Sequence, residues 1–420
     1  MVTLSSQELQ RVKVIENAVE GRLSVAKAAL LLQVSERQVQ RLKQRYRSDS
    51  TDWVKHGNRG RSKPWALAGE TRQKIVELAQ HKYNGFNDTH LWEKLTGIEG
   101  LVVSRETVRR TLRQAKIASP QKRRARKYRS RRERRSCRGA MVLTDASRHD
   151  WLEDRGPRLT LIGFQDDATS QILAARFQSE PENTLGYLIV LRDLVQGHGI
   201  PLSLYRDQHG TFQRNDKHWT LEEELAGKQD STHLGRALED LGIQQIAALS
   251  PQAKGRIERC WRTFQDRLSS ELRLVQAATL EDANRVLSAF VAEYNQRFAV
   301  PPREATNSFR PLPRQLDLDR TLSLRFERTV GADHVVRLSG HWIQLPPLAG
   351  KNGYAGRRVE LVQQLDGLVS VWLGSKRLHA VSLPFLDCEH RPQSRRPSVS
   401  KPKTPRIYSF AGRPATAVRP

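Results

Sequence analysis

Three acidic residues stand where phosphodiester chemistry would use them. Asp145 follows an apolar run in LTDASRHDW (residues 143–151), Asp207 follows another in LYRDQHGTF (204–212), and Glu258 lies in SPQAKGRIERCW (250–261). Two strand ends can project both aspartates from one sheet edge, and a helix introduced by Ser250 and Pro251 can bring the glutamate back over them. Without cations, three converging carboxylates would repel one another and some would take up protons. Oxygen donors suit magnesium, with manganese as a substitute. Two such ions about 3.5 to 4 Å apart can activate an attacking oxygen and stabilise a departing one during in-line displacement. Taken singly, each acid reads as a surface salt bridge or helix cap, so only the three together point to this chemistry. His149, Asp150, Trp151 and His209 read first as hydrogen-bonding and packing residues, and residues 222–224 as the acidic surface of a helix rather than a second metal site.

The elements that would position these acids alternate between strands and helices. Apolar runs at 141–143, 159–164 and 172–177 read as strands, with a hairpin corner at Asp166-Asp167. A helix at about 182–196, a strand at 202–205, a polar excursion, a helix near 234–241 and a strand at 243–247 follow. That order implies a mixed α/β sheet covered by helices. Prolines at 302–313 punctuate its end. Beyond them Val359, Leu361, Val369, Val371 and Leu373 alternate around the turn signal Asp366-Gly367, which predicts a small β-barrel of about five strands, with edge strands of a larger sheet as the alternative.

The amino-terminal part is helical. Ser5 and Glu8 have capping-box spacing before a face of Leu9, Val12 and Val19, which Gly21 ends. Ser24 caps a short helix with Ala28, Ala29 and Leu32, and Ser35 caps a third with Val39, Leu42 and Tyr46 inside. The turn at 33–34 makes this a helix-turn-helix whose last helix offers Arg37, Gln38, Gln40, Arg41, Gln44 and Arg45 to a major groove. A bundle with an ordinary charged face is the plainer alternative. A second trihelical pattern begins with Ile75 and Leu78. Asn87 caps a helix with Leu91 and Leu95, and Ser104 caps one that buries Val108 and Leu112 and exposes Arg105, Arg109, Arg110 and Arg113.

The chain of 420 residues carries 71 basic and 45 acidic residues, a net charge of +26 that points to a polyanionic partner. Residues 116–139 hold 12 basic residues against 1 acidic, whereas residues 140–315 hold 21 against 24. This is the pattern of basic arms around a core whose acids recruit cations. Lys122, Arg123, Arg124, Arg126, Lys127, Arg129, Arg131 and Arg132 form a phosphate-tracking linker, although a nuclear-targeting signal has the same composition. The tail at 388–420, rich in Pro, Ser and Arg, reads as flexible and solvated. Cys137, Cys260 and Cys388 form no paired zinc or disulfide motif, and no apolar run approaches a membrane span. A cytoplasmic, nucleoid-associated protein is expected, with no membrane partner.

These motifs resemble the DDE transposases and retroviral-type integrases, and within them the ISNCY-type insertion-sequence transposases. The resemblance covers the tandem helix-turn-helix region, the stretch from Asp145 through HDWLEDRGPRLTLIGFQDDAT, the Asp207 strand end and the SPQAKGRIER helix. It implies a ribonuclease H-like core and magnesium-dependent cleavage and strand transfer on double-stranded DNA, at element ends and target. It also implies multimeric assembly, and metal-ligand roles for Asp145, Asp207 and Glu258. The expected organisation is helix-turn-helix at 1–50 and again at 64–118, basic linker at 119–139, catalytic core at 140–315, β-barrel at 320–387 and tail at 388–420. Departures from relatives are a longer spacing between Asp207 and Glu258, absorbed at 213–232, Ala146 where Gly is common, and Arg206 where a smaller residue is common. A transposase-derived DNA-binding regulator, or a nuclease that cuts without joining, would share most of these features.

Overall fold

The computed structural model describes residues 6–48, 53–54, 67–120, 132–214, 218–248, 255–346 and 353–383. The chain divides into two units, Met1–Lys74 and Ile75–Pro420. In the first, α1 (Ser6–Val19), α2 (Val25–Leu32) and α3 (Glu36–Arg47) pack around Ile15, Ala18, Ala28, Val39 and Leu42. Ser24 and Ser35 cap α2 and α3 by accepting the Lys27 and Gln38 N–H groups, and the left-handed Gln33 makes the turn between them. The buried face of α1 differs from the sequence expectation, since Leu9 is 49% exposed and Ile15 and Ala18 fill the interior instead.

The second unit takes in α4 (Gly69–Gln80) from Ile75, then α5 (Asp88–Gly97) and α6 (Arg105–Gln114). Asn87 and Ser104 supply the expected caps. Its core follows: β1 (Val142–His149), a 3-10 turn at Glu153–Arg155, β2 (Leu159–Asp166), β3 (Ile172–Gln178), α7 (Thr184–His198), β4 (Ser203–Arg206), α8 (Leu221–Ala226), α9 (His233–Asp240), β5 (Gln244–Ala247), α10 (Gly255–Leu274) and α11 (Leu280–Phe298). The strands form one sheet in the order β3-β2-β1-β4-β5, with β1, β2 and β3 antiparallel and β4 and β5 parallel to β1. Leu188, Leu191 and Leu194 of α7, with Leu234 and Leu238 of α9, cover one face. Trp261, Phe264 and Leu268 of α10, with Leu287 and Phe290 of α11, cover the other. A three-strand meander followed by two parallel crossovers, with helices on both faces, is the ribonuclease H-like arrangement.

The edge strand β3 is closed by side chains. Asn284 and Asn295 of α11 each use their amide to donate to and accept from the β3 backbone, at Phe177 and Ile172 respectively. An edge occupied this way offers less to another chain.

The carboxy-terminal part holds six strands among the described residues, where about five were expected. After α12 (Leu318–Thr321) come β6 (Leu324–Thr329), β7 (Val335–Leu338), β8 (His341–Gln344), β9 (Arg358–Gln363), β10 (Leu368–Leu373) and β11 (Lys376–Ser382). Among the described residues they pair as a four-stranded antiparallel sheet, β11-β10-β9-β6, and a separate β7–β8 hairpin. The Asp366-Gly367 turn is where expected, with Gly367 at φ +90° and the Asp366 carboxylate accepting the Leu368 N–H. Their apolar side chains, including Phe326, Leu361 and Val371, share one cluster with α7 and α9. Arg236 of α9 donates to the Ser323 carbonyl, and His233 of the same helix accepts the Arg325 N–H. The inward faces of these strands and of the β7–β8 hairpin, through Val336, Leu338 and Ile343, thus share one cluster that reaches α7 and α9.

The second helical module is joined to α10 by buried polar contacts. Glu271 pairs with His90 at 2.6 Å and Lys94 at 2.7 Å, and Asp266 accepts from Asn87 at 2.5 Å. Burial opposes ionisation of Glu271, but the His90 and Lys94 donors outweigh it and hold the carboxyl below its usual range. Glu93 accepts both Arg267 guanidinium nitrogens, at 2.7 and 3.1 Å, and also pairs with Arg297. Glu93→Gln leaves two guanidinium groups without their counter-ion, so urea denaturation should show a loss of about 3 to 5 kcal/mol. Glu106→Gln, on the exposed surface of α6, should change stability by less than about 0.5 kcal/mol.

Candidate active site

The site is built on the parallel β1–β4 pair. Val142 lies opposite Leu204 and Leu143 opposite Tyr205. Continuing that register by two residues sets Asp207, just past the end of β4, level with Asp145, one strand spacing of about 4.8 Å away. Strand alternation places Asp145 on the same face as Leu143 and Ser147, the face that α10 covers. The cross-strand neighbour of Asp145 is Gly163 of β2. A Cβ at Gly163 would stand 2.5 Å from Cη2 of Trp261, so the missing side chain is what lets the indole lie against the sheet beside Asp145. Four residues on, Gln265 donates to Ser147 Oγ at 3.1 Å. These two contacts run α10 along β1.

Glu258 lies in the first turn of α10, exposed, one turn before Trp261. Ser250 and Pro251, expected to introduce that helix, lie outside the described residues. What fixes its start is Arg256, whose guanidinium reaches the fully buried Asp167 at 2.5 Å. Arg132 reaches the same carboxylate at 2.5 Å, and the Arg135 N–H donates to it at 2.8 Å. Among the described residues, no three His, Cys, Asp or Glu side chains converge closely enough to hold an ion. The extended register points Asp207 toward Asp145, and Glu258 is exposed in the first turn of the helix that packs on this face, with the three not converging.

Arg206, the residue before Asp207, has a structural role. It is buried, donates to Gln245 at 3.0 Å, to Gln213 at 3.0 Å and to the Asp207 carbonyl at 2.8 Å, and lies over the Phe212 ring. Burial pulls its pKa down, against the pull of Asp207. The loop after β4 is further held by the Asp207 carboxylate, which accepts the His209 N–H at 3.0 Å.

A fourth carboxylate in this neighbourhood escapes the sequence reading. The apolar pattern puts Glu182 inside the first turn of a helix, but Asn183 caps α7 by accepting the Gly186 N–H, which leaves Glu182 just outside it. Tyr187 Oη donates to Glu182 at 2.6 Å, and His209 Nδ1 lies 3.6 Å away. Burial, and then the charges of Asp207 and Asp145, push the Glu182 pKa up against the lowering effects of Tyr187 and His209. The signal that could have found it is the Asn-Thr pair at 183–184, a cap followed by an apolar helix.

The expected DNA-facing residues fare unevenly. On α3, Arg37, Gln40, Arg41, Gln44 and Arg45 are exposed and Gln38 is half-buried. On α6, Arg105, Arg109 and Arg110 are exposed, the last two beside Glu106, whose carboxyl Arg109 and then Arg110 hold down at about 2. Arg113 instead pairs with Asp88 at 2.5 Å and donates to the Ile117 carbonyl. Arg132 is likewise engaged by Asp167 and lies over Tyr205. Lys122, Arg123, Arg124, Arg126, Lys127, Arg129 and Arg131 lie outside the described residues, as does the tail at 388–420. Glu223, one of the acids at 222–224, is buried as the third residue of a capping box with Thr220 and pairs with Arg214.

No family model matches the sequence. A protein of Sinorhizobium fredii described as a putative transposase, y4bF, is 34% identical over 387 residues, covering 92% of this chain and 82% of its own. The chain belongs to the DDE transposase and integrase superfamily. The transposase for insertion sequence IS1202 of Streptococcus pneumoniae is 28% identical over 416 residues, covering 90% of this chain and 86% of its own. Among solved structures, the catalytic core domain of BIV integrase overlaps 38% of this transposase and 85% of its own chain, at 17% identity and a TM-score of 0.26. The Mos1 strand transfer complex overlaps 70% and 96%, at 13% identity and a TM-score of 0.21. No helix among the described residues is long and apolar enough to cross a membrane.

In this transposase the seating of α10 depends on a missing methyl group. Gly163→Ala should force the Trp261 indole off β2, at a cost of about 1 to 3 kcal/mol. Urea denaturation followed by tryptophan fluorescence reads both the stability and the displaced ring. An unchanged midpoint and spectrum would mean that α10 does not depend on this contact.

Proposed function

We propose that this transposase binds the ends of a mobile DNA element and catalyses strand cleavage and strand transfer, with Asp145, Asp207 and Glu258 holding two magnesium ions. The observation that supports the reading is the β1–β4 register: carried two residues past its last pair, it would bring Asp207, just beyond β4, beside Asp145 of β1, on the face packed by the helix that bears Glu258. Bound there, the ions would stabilise charge on the phosphate and activate the attacking oxygen, with manganese able to replace magnesium. The donor set is all oxygen, as hard cations require. The field of Asp145 and Asp207 on Glu182 fits a site that gains from a bound cation.

The protein's own residues then orient. Arg256 on Asp167 fixes the first turn of α10, and Trp261 over Gly163 fixes its height above β1. Arg206 braces the loop that presents Asp207. Water is the nucleophile for cleavage and a DNA 3′ hydroxyl for transfer, so no covalent protein–DNA intermediate is required. The exposed polar face of α3 reads base edges, while the basic residues of α6 and of the segment before Arg132 bind phosphate. Joining two ends to one target needs at least two active sites, so a dimer or larger assembly forms on end DNA.

Asp145→Asn, Asp207→Asn and Glu258→Gln keep side-chain size but weaken metal ligation. Each should slow magnesium-dependent nicking and joining about a thousandfold or more, with duplex binding retained. Gel assays on a duplex copied from the DNA flanking the reading frame check this, and a fully active variant removes its residue from the site. Products that are nicked but never joined would identify a nuclease instead. The double change Arg41→Ala, Gln44→Ala should reduce discrimination between that duplex and a scrambled one by about 1 to 3 kcal/mol for each base edge no longer read. Competition binding at fixed salt measures it, and equal weakening on both duplexes would assign α3 to phosphate contact alone.

A further inference from the structure

We propose that Glu182 is a positioning residue for the metal site described above: it ties the loop after β4 to α7 and so keeps Asp207 level with Asp145. The inference rests on that reading of the site. A chain of contacts supports it, running from Tyr187 Oη to Glu182 at 2.6 Å, from Glu182 to His209 Nδ1 at 3.6 Å, which is an ion pair when the imidazole is protonated and too long for a hydrogen bond, and from the His209 N–H to the Asp207 carboxylate at 3.0 Å. Its inner end is rigid, because Tyr187 is 1% exposed and packs edge-on against Phe212. Its outer end is braced by Thr211 Oγ1, which lies 2.9 Å from His209 Nδ1.

The backbone around Glu182 is held with equal care. Gln178, at the end of β3, uses its side-chain amide to donate to the carbonyls of Glu180 and Pro181, at 3.2 and 2.6 Å. Its Oε1 occupies the space a Cβ on Gly186 would need. The connection between β3 and α7 is therefore locked on both sides of Glu182.

Packing alone gives no reason for an acid here. A glutamine would satisfy the Tyr187 hydroxyl equally well, and a half-buried negative charge near two aspartates is electrostatically unfavourable. Burial and the two aspartates do raise its pKa, which is the signature of that cost. The charge is accounted for if it holds His209 in place and adds to the field that draws a divalent cation between Asp145 and Asp207.

The test uses the full chain and Mn2+ alone as the probe. Glu182→Gln keeps an acceptor for Tyr187 but loses the charge, so the fold should survive, as thermal unfolding by circular dichroism can show. Residues that orient metal ligands typically contribute about 10- to 100-fold to metal affinity, so calorimetric titration should show Mn2+ binding weakened about tenfold or more. The Mg2+ concentration for half-maximal duplex cleavage should rise in parallel, while metal-free duplex binding stays within about twofold of wild type. Tyr187→Phe should shift Mn2+ binding in the same direction by less. Wild-type Mn2+ affinity in both Glu182→Gln and Tyr187→Phe overturns the inference and leaves the site reading standing. If Asp145→Asn also binds Mn2+ as the wild type does, the site reading itself falls and takes this inference with it.

Discussion

A carboxylate with no solvent exposure governs how the core is put together. Asp167, at the β2–β3 corner, draws in Arg132, Arg256 and the Arg135 N–H. An unpaired carboxylate at such a place would cost several kcal/mol, so these partners are obligatory rather than decorative. The consequence reaches both directions along the chain. Arg256 fixes where α10 begins and therefore where Glu258 stands, and Arg132 ties the chain ahead of β1 to the same corner. The adjacent Asp166, also fully buried, accepts the Gly139 and Thr169 N–H groups, so the whole corner is held by charge and hydrogen bonds.

Much of this is legible in the sequence because it is local. The caps at Ser24, Ser35, Asn87 and Ser104 and the turn at Asp366-Gly367 each depend on neighbours within a few residues. The strand end at Asp207 is legible for the same reason, whereas Asp145, expected to end its strand, stands in the middle of β1, which runs on to His149 because its polar second half still pairs with β2. What stays hidden is long-range. Asp166-Asp167 reads as a turn, and nothing near it announces partners at 132 and 256. Arg113 looks like another basic residue on a recognition helix until Asp88, on the neighbouring helix, takes it up. Glu182 is obscured by a boundary, because a small error in the start of α7 turns an acid outside the helix into one on its surface.

The carboxy-terminal strands show a different limit. Alternation identifies a half-buried strand but not the surface that buries it. Phe326 and Leu361 lie in one cluster with Val336 and Ile343 of the β7–β8 hairpin and with residues of α7 and α9. The bond from Arg236 to the Ser323 carbonyl, and the His233 bond to Arg325, tie the start of β6 to α9, a pairing that alternation along the strand cannot announce.

Helix α10 has 20 residues, hence a length of about 30 Å, and its two ends answer to different parts of the molecule. The first turn is tied to the β2–β3 corner, whereas the far half is tied to α5 through Asp266, Arg267 and Glu271. The linear boundary between the second helical module and the core is therefore not a boundary for exchange during divergence. A lineage that acquired a new α5 would also have to rewrite the far half of α10, because each charge buried on one side is matched on the other. Exposed surfaces such as those of α3 and α6 are free of that constraint, whereas α5 and the far half of α10 should drift only as a matched pair.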